Sequence, residues 1–500
     1  MNIKLNSVEL RDKVYACWIG KNIGGTMGAP YEGTKEFLDV QGFATKAGEV
    51  LPNDDLDLQL VWLAAVERCG VERINAQTLG EFWLAYIPPH WNEYGVGKAN
   101  MKMGLIPPLS GDYRNDWKHS NGAWIRTEIW ACLNPGRPDA AAMLAIEDAC
   151  IDHGTGEGTN AAIFVAALQS AAFVINDLRT CIEVALSKIP EDCRMAKSVR
   201  LSIECYDKGM TLREARDTVQ RSNADIGDGW FEAPSNVSYV VLGLLYGEGD
   251  FKKSMIAAIN CGDDTDCTAA TVGSTFGILY GMKGLPEDWS AHIGDAIITK
   301  AVDQGTLWGV PASCTELSER VLAQTEISLK MEHLYPYWLG NSVSVILTDA
   351  ETEVPAEVAE HYKASASVVN RMKEMPENSF MVTNDFIHAT VILEDGADVY
   401  PNTEKKIRLV VRLNNDIAGS WHIPERLRIR WWLPEGCRIA GRESLFLSGY
   451  QPNRRADGGI REEEYLLSVG EHVSADMRVV AEITGVGHVQ SLYIPIVLIG

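Results

Sequence analysis

The chain has 500 residues and a formal net charge of −23, from 45 basic and 68 acidic side chains; 46% of its residues are hydrophobic and 23% charged. That profile excludes a disordered, collagenous or fibrous protein and supplies enough apolar side chains for sizeable cores. Acids outnumber bases on both sides of residue 340, so a phosphate-neutralising nucleic-acid surface is not expected.

Residues 1–13 lack the apolar centre of a signal peptide. The eleven cysteines show no CxxC pair or regular spacing, the pattern of reduced thiols rather than of a disulfide framework. No run of about 18 uncharged apolar residues exists, so no membrane-spanning helix is expected. These readings point to a cytoplasmic protein with neither nucleic acid nor membrane as partner, and they leave a homo-oligomer open.

From residue 10 to 330 the pattern is helical. The runs at 58–70, 161–175, 198–209, 237–247, 252–260 and 268–281 are apolar with helical spacing, and several are Ala- and Gly-rich and apolar nearly all round. Residues 86–122 interrupt them with Pro, Gly and aromatic residues and no clear period, which predicts a long functional loop. The spacing changes near residue 340. A helix is expected within 353–375, and then seven short β-rich runs: 386–393, 406–413, 426–433, 444–450, 464–469, 477–485 and 491–500. Many alternate and turn residues separate them, so an antiparallel β-sandwich is expected over 341–500, following an all-α domain over 1–340.

Three acidic segments stand out in the helical part. GGTMGAPYEG (24–33) carries Glu32 after a Gly-rich stretch. LPNDDLDLQL (51–60) opens a helix with Asn53, Asp54, Asp55 and Asp57. NCGDDTDCTAA (260–270) opens another with Asp263, Asp264 and Asp266. Asn and Asp are favoured helix caps, and acids suit the positive end of a helix dipole. A cap needs one carboxylate, however, and each of these helix starts carries three. Adjacent carboxylates are costly unless solvated or bridged by a cation, and an all-oxygen donor set without a His or Cys pair favours hard Mg²⁺ or Mn²⁺ over zinc.

The order GxxxGxPxE, a DD pair opening a helix, and G-x-D-T-D before a small-residue helix resembles the ADP-ribosylglycohydrolase family. That family's motifs run roughly GDxxGxPxE, TDD and GGDTDT, and they build a two-magnesium centre inside an all-helical fold. SNGAWIR (120–126), DHGTGEGTNAA (152–162), GDGWFEAPSNVSYVVLGLLYGEGDF (227–251) and GLPEDW (284–289) match further segments. The resemblance covers about residues 10–330. It implies metal ligation by Glu32, Asp54, Asp55, Asp264 and Asp266. Asn53 and Cys267 stand where the family has Thr; the Asn53 amide oxygen can still ligate, whereas the Cys267 thiol is a soft donor. Asp263 replaces a family glycine.

The same resemblance implies substrate contacts from Asn121, Gly122, Arg126, His153 and Trp230. Arg126 also reads as a buried ion-pair partner and His153 as a local hydrogen-bonding group. Trp230, like Trp117 and Trp124, also reads as core. GTGEG (154–158) lacks the lysine of a phosphate loop. The function implied is hydrolysis of a glycosidic bond at the anomeric carbon of an ADP-ribosyl group, with two Mg²⁺ (Mn²⁺ the alternative) and a small-molecule or ADP-ribosylated substrate. Glu32 or Asp55 would accept the proton. Two other readings stay open: a glycoside or nucleoside hydrolase using the same centre on a different sugar, and a catalytically silent ligand-binding protein.

Overall fold

The first helix, Ser7–Gly28, starts where the Asn6 side chain accepts from the backbone N–H groups of Val8 and Glu9. Small residues recur along it every four positions: Ala16, Gly20, Gly24 and Gly28. A second series, Thr265, Ala269, Gly273 and Gly277, runs along the Thr265–Tyr280 helix. The two series face each other antiparallel. A Cβ at Gly20 would clash with the Gly273 carbonyl, at Gly24 with Ala269, at Gly28 with Thr265, and at Gly277 with Ala16. Only small residues allow backbones this close. The seam fixes the end of the first helix beside the start of the second.

This computed structural model describes residues 1–227, 229–303, 305–331, 333–334, 337–338, 343–413, 425–447 and 460–500. Around the seam pack the Asp54–Cys69, Glu157–Ala172, Ala233–Tyr246, Phe251–Asn260 and Cys314–Ser328 helices, with Pro138–His153 packed on Glu157–Ala172. Their apolar residues form one large core. It also takes in Val343, Val345, Val358, Tyr362, Val368 and Met375, because Asn2–Asn6 forms a strand paired in parallel with Ser344–Thr348. The helix expected within 353–375 is split in two, Val358–Ala364 and Ser367–Lys373. The point near residue 340 where the sequence pattern changes lies outside the described residues.

From Ser379 the chain forms antiparallel sheets. One orders Ser379–Thr383, Ile387–Ile392, Glu404–Leu413, Ile460–Ser468 and Arg438–Ala440. The other orders Ser444–Leu447, Glu425–Trp432, Asp476–Gly485 and Ser491–Ile499. The period-2 pattern decides the faces: Leu427 and Ile429 are buried while Arg426, Arg428 and Arg430 are exposed. Both sheets contribute to a single second core, which also receives Leu105, Leu109 and Tyr113 from the helical part. All seven expected runs contain strands; residues 448–450 of the fourth lie outside the described residues.

Residues 86–122 differ from the expected loop, since they contain the helices Asn92–Lys102 and Leu109–Asp112. The first lacks an apolar stripe because polar residues fill its buried face. Lys98 donates to the carbonyls of Ile87 and Pro89, and Asn100 donates to those of Ser110 and Tyr113 at 2.7 and 2.8 Å. No helix among the described residues is long and apolar enough to cross a membrane.

Candidate metal centre

Three segments bring the acids together. Asn53 caps the Asp54–Cys69 helix, its Oδ1 accepting from the Asp55 N–H at 2.9 Å, while its amide packs against Gly25. Asp54 and Asp55 are thereby released from capping. Asp57 is scaffold: its Oδ2 accepts from the backbone N–H groups of Lys300 and Ala301, each at 2.6 Å. Glu32 follows the Ala29–Tyr31 turn that ends the first helix. Asp264 occupies the cap position of Thr265–Tyr280, but its side chain makes no capping bond; Oδ2 instead accepts from Asn121 Nδ2 at 2.6 Å.

Carboxylate oxygens of Glu32, Asp264 and Asp266 lie within 4.8 Å of one another, and so do ligand atoms of Asp55, Asp266 and Cys267. Asp266 joins the two groups. Oδ2 of Asp55 and Oδ1 of both Asp264 and Asp266 are buried and find no donor among the described residues. Buried polar atoms are normally paired. Oxygens left over in this number, on carboxylates from separated segments, fit a hard divalent cation. Cys267 donates its thiol hydrogen to Asp55 Oδ1 at 3.2 Å, and burial pushes its ionisation well up, so it stays a neutral donor.

The electrostatics carry the same signature. The Asp266 charge, followed by burial, pushes the Glu32 carboxyl up to about 7 against the pull of Lys300. Burial and neighbouring carboxylates push Asp55 and Asp264 well up, and burial raises Asp266. Two ammonium groups partly offset this charge. Lys21 Nζ is 4.0 Å from Asp55 Oδ2 and 3.0 Å from Glu128 Oε1. Lys300 Nζ is 2.9 Å from Asp54 Oδ1.

Of the residues expected to touch substrate, Asn121 reaches the centre, and its Oδ1 also accepts from Trp124 Nε1 at 2.9 Å. Gly122 has no room for a side chain against Glu93 and Tyr94, and its carbonyl accepts from Arg126 at 2.6 Å. Arg126 is fully buried: Nε donates to Asp148 Oδ1 at 2.8 Å, Nη1 to Asp152 Oδ2 at 3.1 Å, and Nη2 to Asp152 Oδ1 at 2.8 Å. His153, also fully buried, places Nδ1 2.8 Å from Asp152 Oδ1 and Nε2 3.2 Å from Ser120 Oγ. Arg126 and His153 thus face protein groups and hold Gly122 and Ser120, the residues on either side of Asn121. Trp230 is 41% exposed, with Lys35 Nζ 3.7 Å above its ring.

The segment carrying Trp230 borders the centre. Phe231 N–H donates to Asp263 Oδ1 at 3.3 Å, and Asn236 Nδ2 to Asp263 Oδ2 at 3.2 Å. Asp263 has φ of +65°, in the left-handed region where the resembled motif has glycine. Asn236, Lys21 and Lys300 were not singled out in the sequence. Asn236 accepts from the Asp264 N–H at 3.2 Å and lies within a motif-bearing segment, whereas a lone lysine such as Lys300 carries no spacing to reveal it.

A largely helical body that gathers carboxylates from three distant segments, with oxygens left without a donor among the described residues, defines a carboxylate-centred class of protein. The chain belongs to the ADP-ribosylglycohydrolase family, whose model matches residues 6–323. The ADP-ribosylarginine hydrolase Tri1 of Pseudomonas putida (strain GB-1) is 29% identical over 106 residues, covering 19% of this chain and 29% of that protein. The match therefore spans less than a third of that relative. A solved structure titled "ADP-ribosylglycohydrolase-related protein complex" is 20% identical, covers 64% of this chain and 99% of its own, and superposes with a TM-score of 0.42.

Proposed function

We propose that the protein is a metal-dependent hydrolase cleaving the glycosidic bond at the anomeric carbon of an ADP-ribosyl group. The observation that carries this reading is the meeting of Glu32, Asp264, Asp266 and Asp55 with three carboxylate oxygens left without a donor among the described residues. Glu32, Asp54, Asp55, Asp264 and Asp266 are the ligands, two Mg²⁺ the preferred ions and Mn²⁺ the substitute. When bound, such ions supply neutralising charge, a hold on sugar hydroxyls and an acidified water.

This chain's own residues do the rest. Asn121 fixes the Asp264 carboxylate by occupying Oδ2, leaving Oδ1 without a donor among the described residues. Cys267 orients Asp55 by occupying its Oδ1. Glu32 is the proton acceptor, because it is the exposed member of the cluster, whereas Asp55 is fully buried. The eleven cysteines are all unpaired, which supports a cytoplasmic location.

Chelator-stripped protein is to be assayed on an ADP-ribosylated arginine peptide with Mg²⁺ or Mn²⁺ restored. Release of ADP-ribose that requires the metal and disappears in Asp266→Ala is expected; no release with either metal sinks the reading. The thiol of Cys267 on Asp55 favours one second reading, the same centre retuned for another sugar. A nucleoside and glycoside panel in the same assay separates the two.

A further inference from the structure

Lys300 reaches the acidic centre from a segment outside the helices that carry the acids, and the structure ties it there twice. Its backbone N–H donates to Asp57 Oδ2 at 2.6 Å, and the fully buried Ala301 repeats the bond. Its ammonium group then lies 2.9 Å from Oδ1 of Asp54, three residues earlier on the same helix start. Oδ2 of Asp54 accepts from the Tyr94 hydroxyl at 3.4 Å. Asp54 therefore differs from its neighbours: both its oxygens have partners, while Asp55, Asp264 and Asp266 each keep one without a donor.

The rest of Lys300's surroundings show where the ammonium can go. Asp54, Asp266 and Glu32 all attract it. On its outer side stands Trp91, 46% exposed, with its ring 5.6 Å from Nζ. A lysine carries its charge on a flexible four-carbon stem, and an aromatic face accepts a displaced ammonium. The backbone anchor through Asp57 keeps the group within reach of the centre whichever side it occupies.

We propose that Lys300 is a tethered counter-cation that holds the Asp54 side of the centre and is exchanged for an incoming divalent cation, moving outward to Trp91. This rests on the metal-centre reading above. A hard cation needs direct contact with a carboxylate oxygen, and an ammonium 2.9 Å from the same Asp54 oxygen would repel it at short range. Loading of the centre is therefore uneven. An ion held by Glu32, Asp264 and Asp266 breaks no ion pair seen among the described residues and feels Lys300 only at longer range, while one drawing on Asp54 must displace the ammonium and binds more weakly. Lys300 is thus a positioning residue that sets how readily the second ion enters and leaves.

The test is calorimetric titration of metal-stripped, full-length protein with Mn²⁺, comparing the unmodified chain with Lys300→Met and Lys35→Met. Lys35 removes the same charge from the rim of the centre but touches Gly229 and the Trp230 ring rather than Asp54. Removing the competitor should tighten the weaker site by roughly tenfold, leave the tighter site nearly unchanged, and have no counterpart in Lys35→Met. Thermal melts give a second readout: metal-free Lys300→Met should melt lower than the unmodified chain and gain more on Mn²⁺ addition. Lys300→Gln replaces the Met variant if that one fails to fold. Equal affinity with and without the Lys300 charge overturns the exchange, and so does equal tightening in Lys35→Met. If neither the unmodified chain nor any variant binds Mn²⁺, the metal-centre reading falls and the exchange with it.

Discussion

Two buried acidic clusters lie back to back in the helical part, and they are completed in opposite ways. In the first, every oxygen has a donor. Asp148 Oδ1 accepts from Arg126 Nε and Oδ2 from Trp130 Nε1; Asp152 takes both Arg126 Nη groups and faces His153. Burial pushes the Asp152 carboxyl up, but Arg126 and His153 outweigh it and bring it down to about 2. Asp148 has fewer charged neighbours, so burial prevails and raises it to about 6. In the second cluster, five carboxylates share Lys21 and Lys300, three oxygens have no donor among the described residues, and burial raises Asp55, Asp264 and Asp266. Unpaired buried charge is expensive. The first cluster is finished by the chain itself; the second keeps unmatched charge, the feature on which the proposed cation site rests.

The largest effect that could break this contrast is on turnover. Asp264→Ala and Asp266→Ala are each expected to lower the rate by about a thousandfold or more, with the helical circular-dichroism signal and melting behaviour retained. A variant that keeps its activity would place these acids outside the machinery.

The closed cluster should answer in stability instead. Asp152→Asn leaves Arg126 short of a counter-charge, and losing one member of a buried pair costs about 3–5 kcal/mol. Its Mn²⁺ affinity should stay as it was. Because the folded carboxyl lies at about 2, below the usual value of 3.8, its stabilisation is complete above pH 4 and declines as the pH falls toward 2. Denaturant midpoints of the two proteins should therefore converge in acid; a gap that stays constant from pH 7 to pH 2 would contradict the assignment.

A smaller effect sharpens the open side. Mn²⁺ at about a hundred times its dissociation constant should stabilise the unmodified chain by about 2.7 kcal/mol through mass action, and Asp264→Ala should lose most of that gain. A melting temperature indifferent to Mg²⁺, Mn²⁺ and Ca²⁺ would argue against an open cluster. Smallest of all, Cys267→Thr exchanges a soft donor for a hydroxyl and should tighten Mn²⁺ binding by roughly threefold; weakening would show that the thiol's bond to Asp55 matters more than ligation.

Much of this was readable in the sequence where chemistry restricts residue choice. Three helix-associated segments each carry carboxylates beyond what a cap needs, so the acidic segments stood out. The seven β-rich runs were legible because alternation survives in every strand with one buried face. The Asn92–Lys102 helix was not, since Gly95, Gly97, Lys98 and Asn100 break its apolar period while serving tertiary contacts. Asn2–Asn6 gave no sign of a strand because its partner, Ser344–Thr348, lies far along the chain. For Arg126 the sequence left two uses open, and only its neighbours show the ion pairs it makes: Asp148, unmarked by any motif, and Asp152, at the start of the matched 152–162 segment.

The four-residue rhythm joining the first helix to Thr265–Tyr280 acts as a caliper. Slipping one helix along the other by a single turn would shift Glu32 by about 5.4 Å relative to Asp264 and Asp266, whereas metal–ligand distances tolerate only about 0.2 Å. Gly20, Gly24 and Gly28 bear no charge, yet a methyl on any of them pries the jaws apart. In a saturation mutagenesis screen scored by activity, these glycines should therefore be as intolerant as the carboxylates they space.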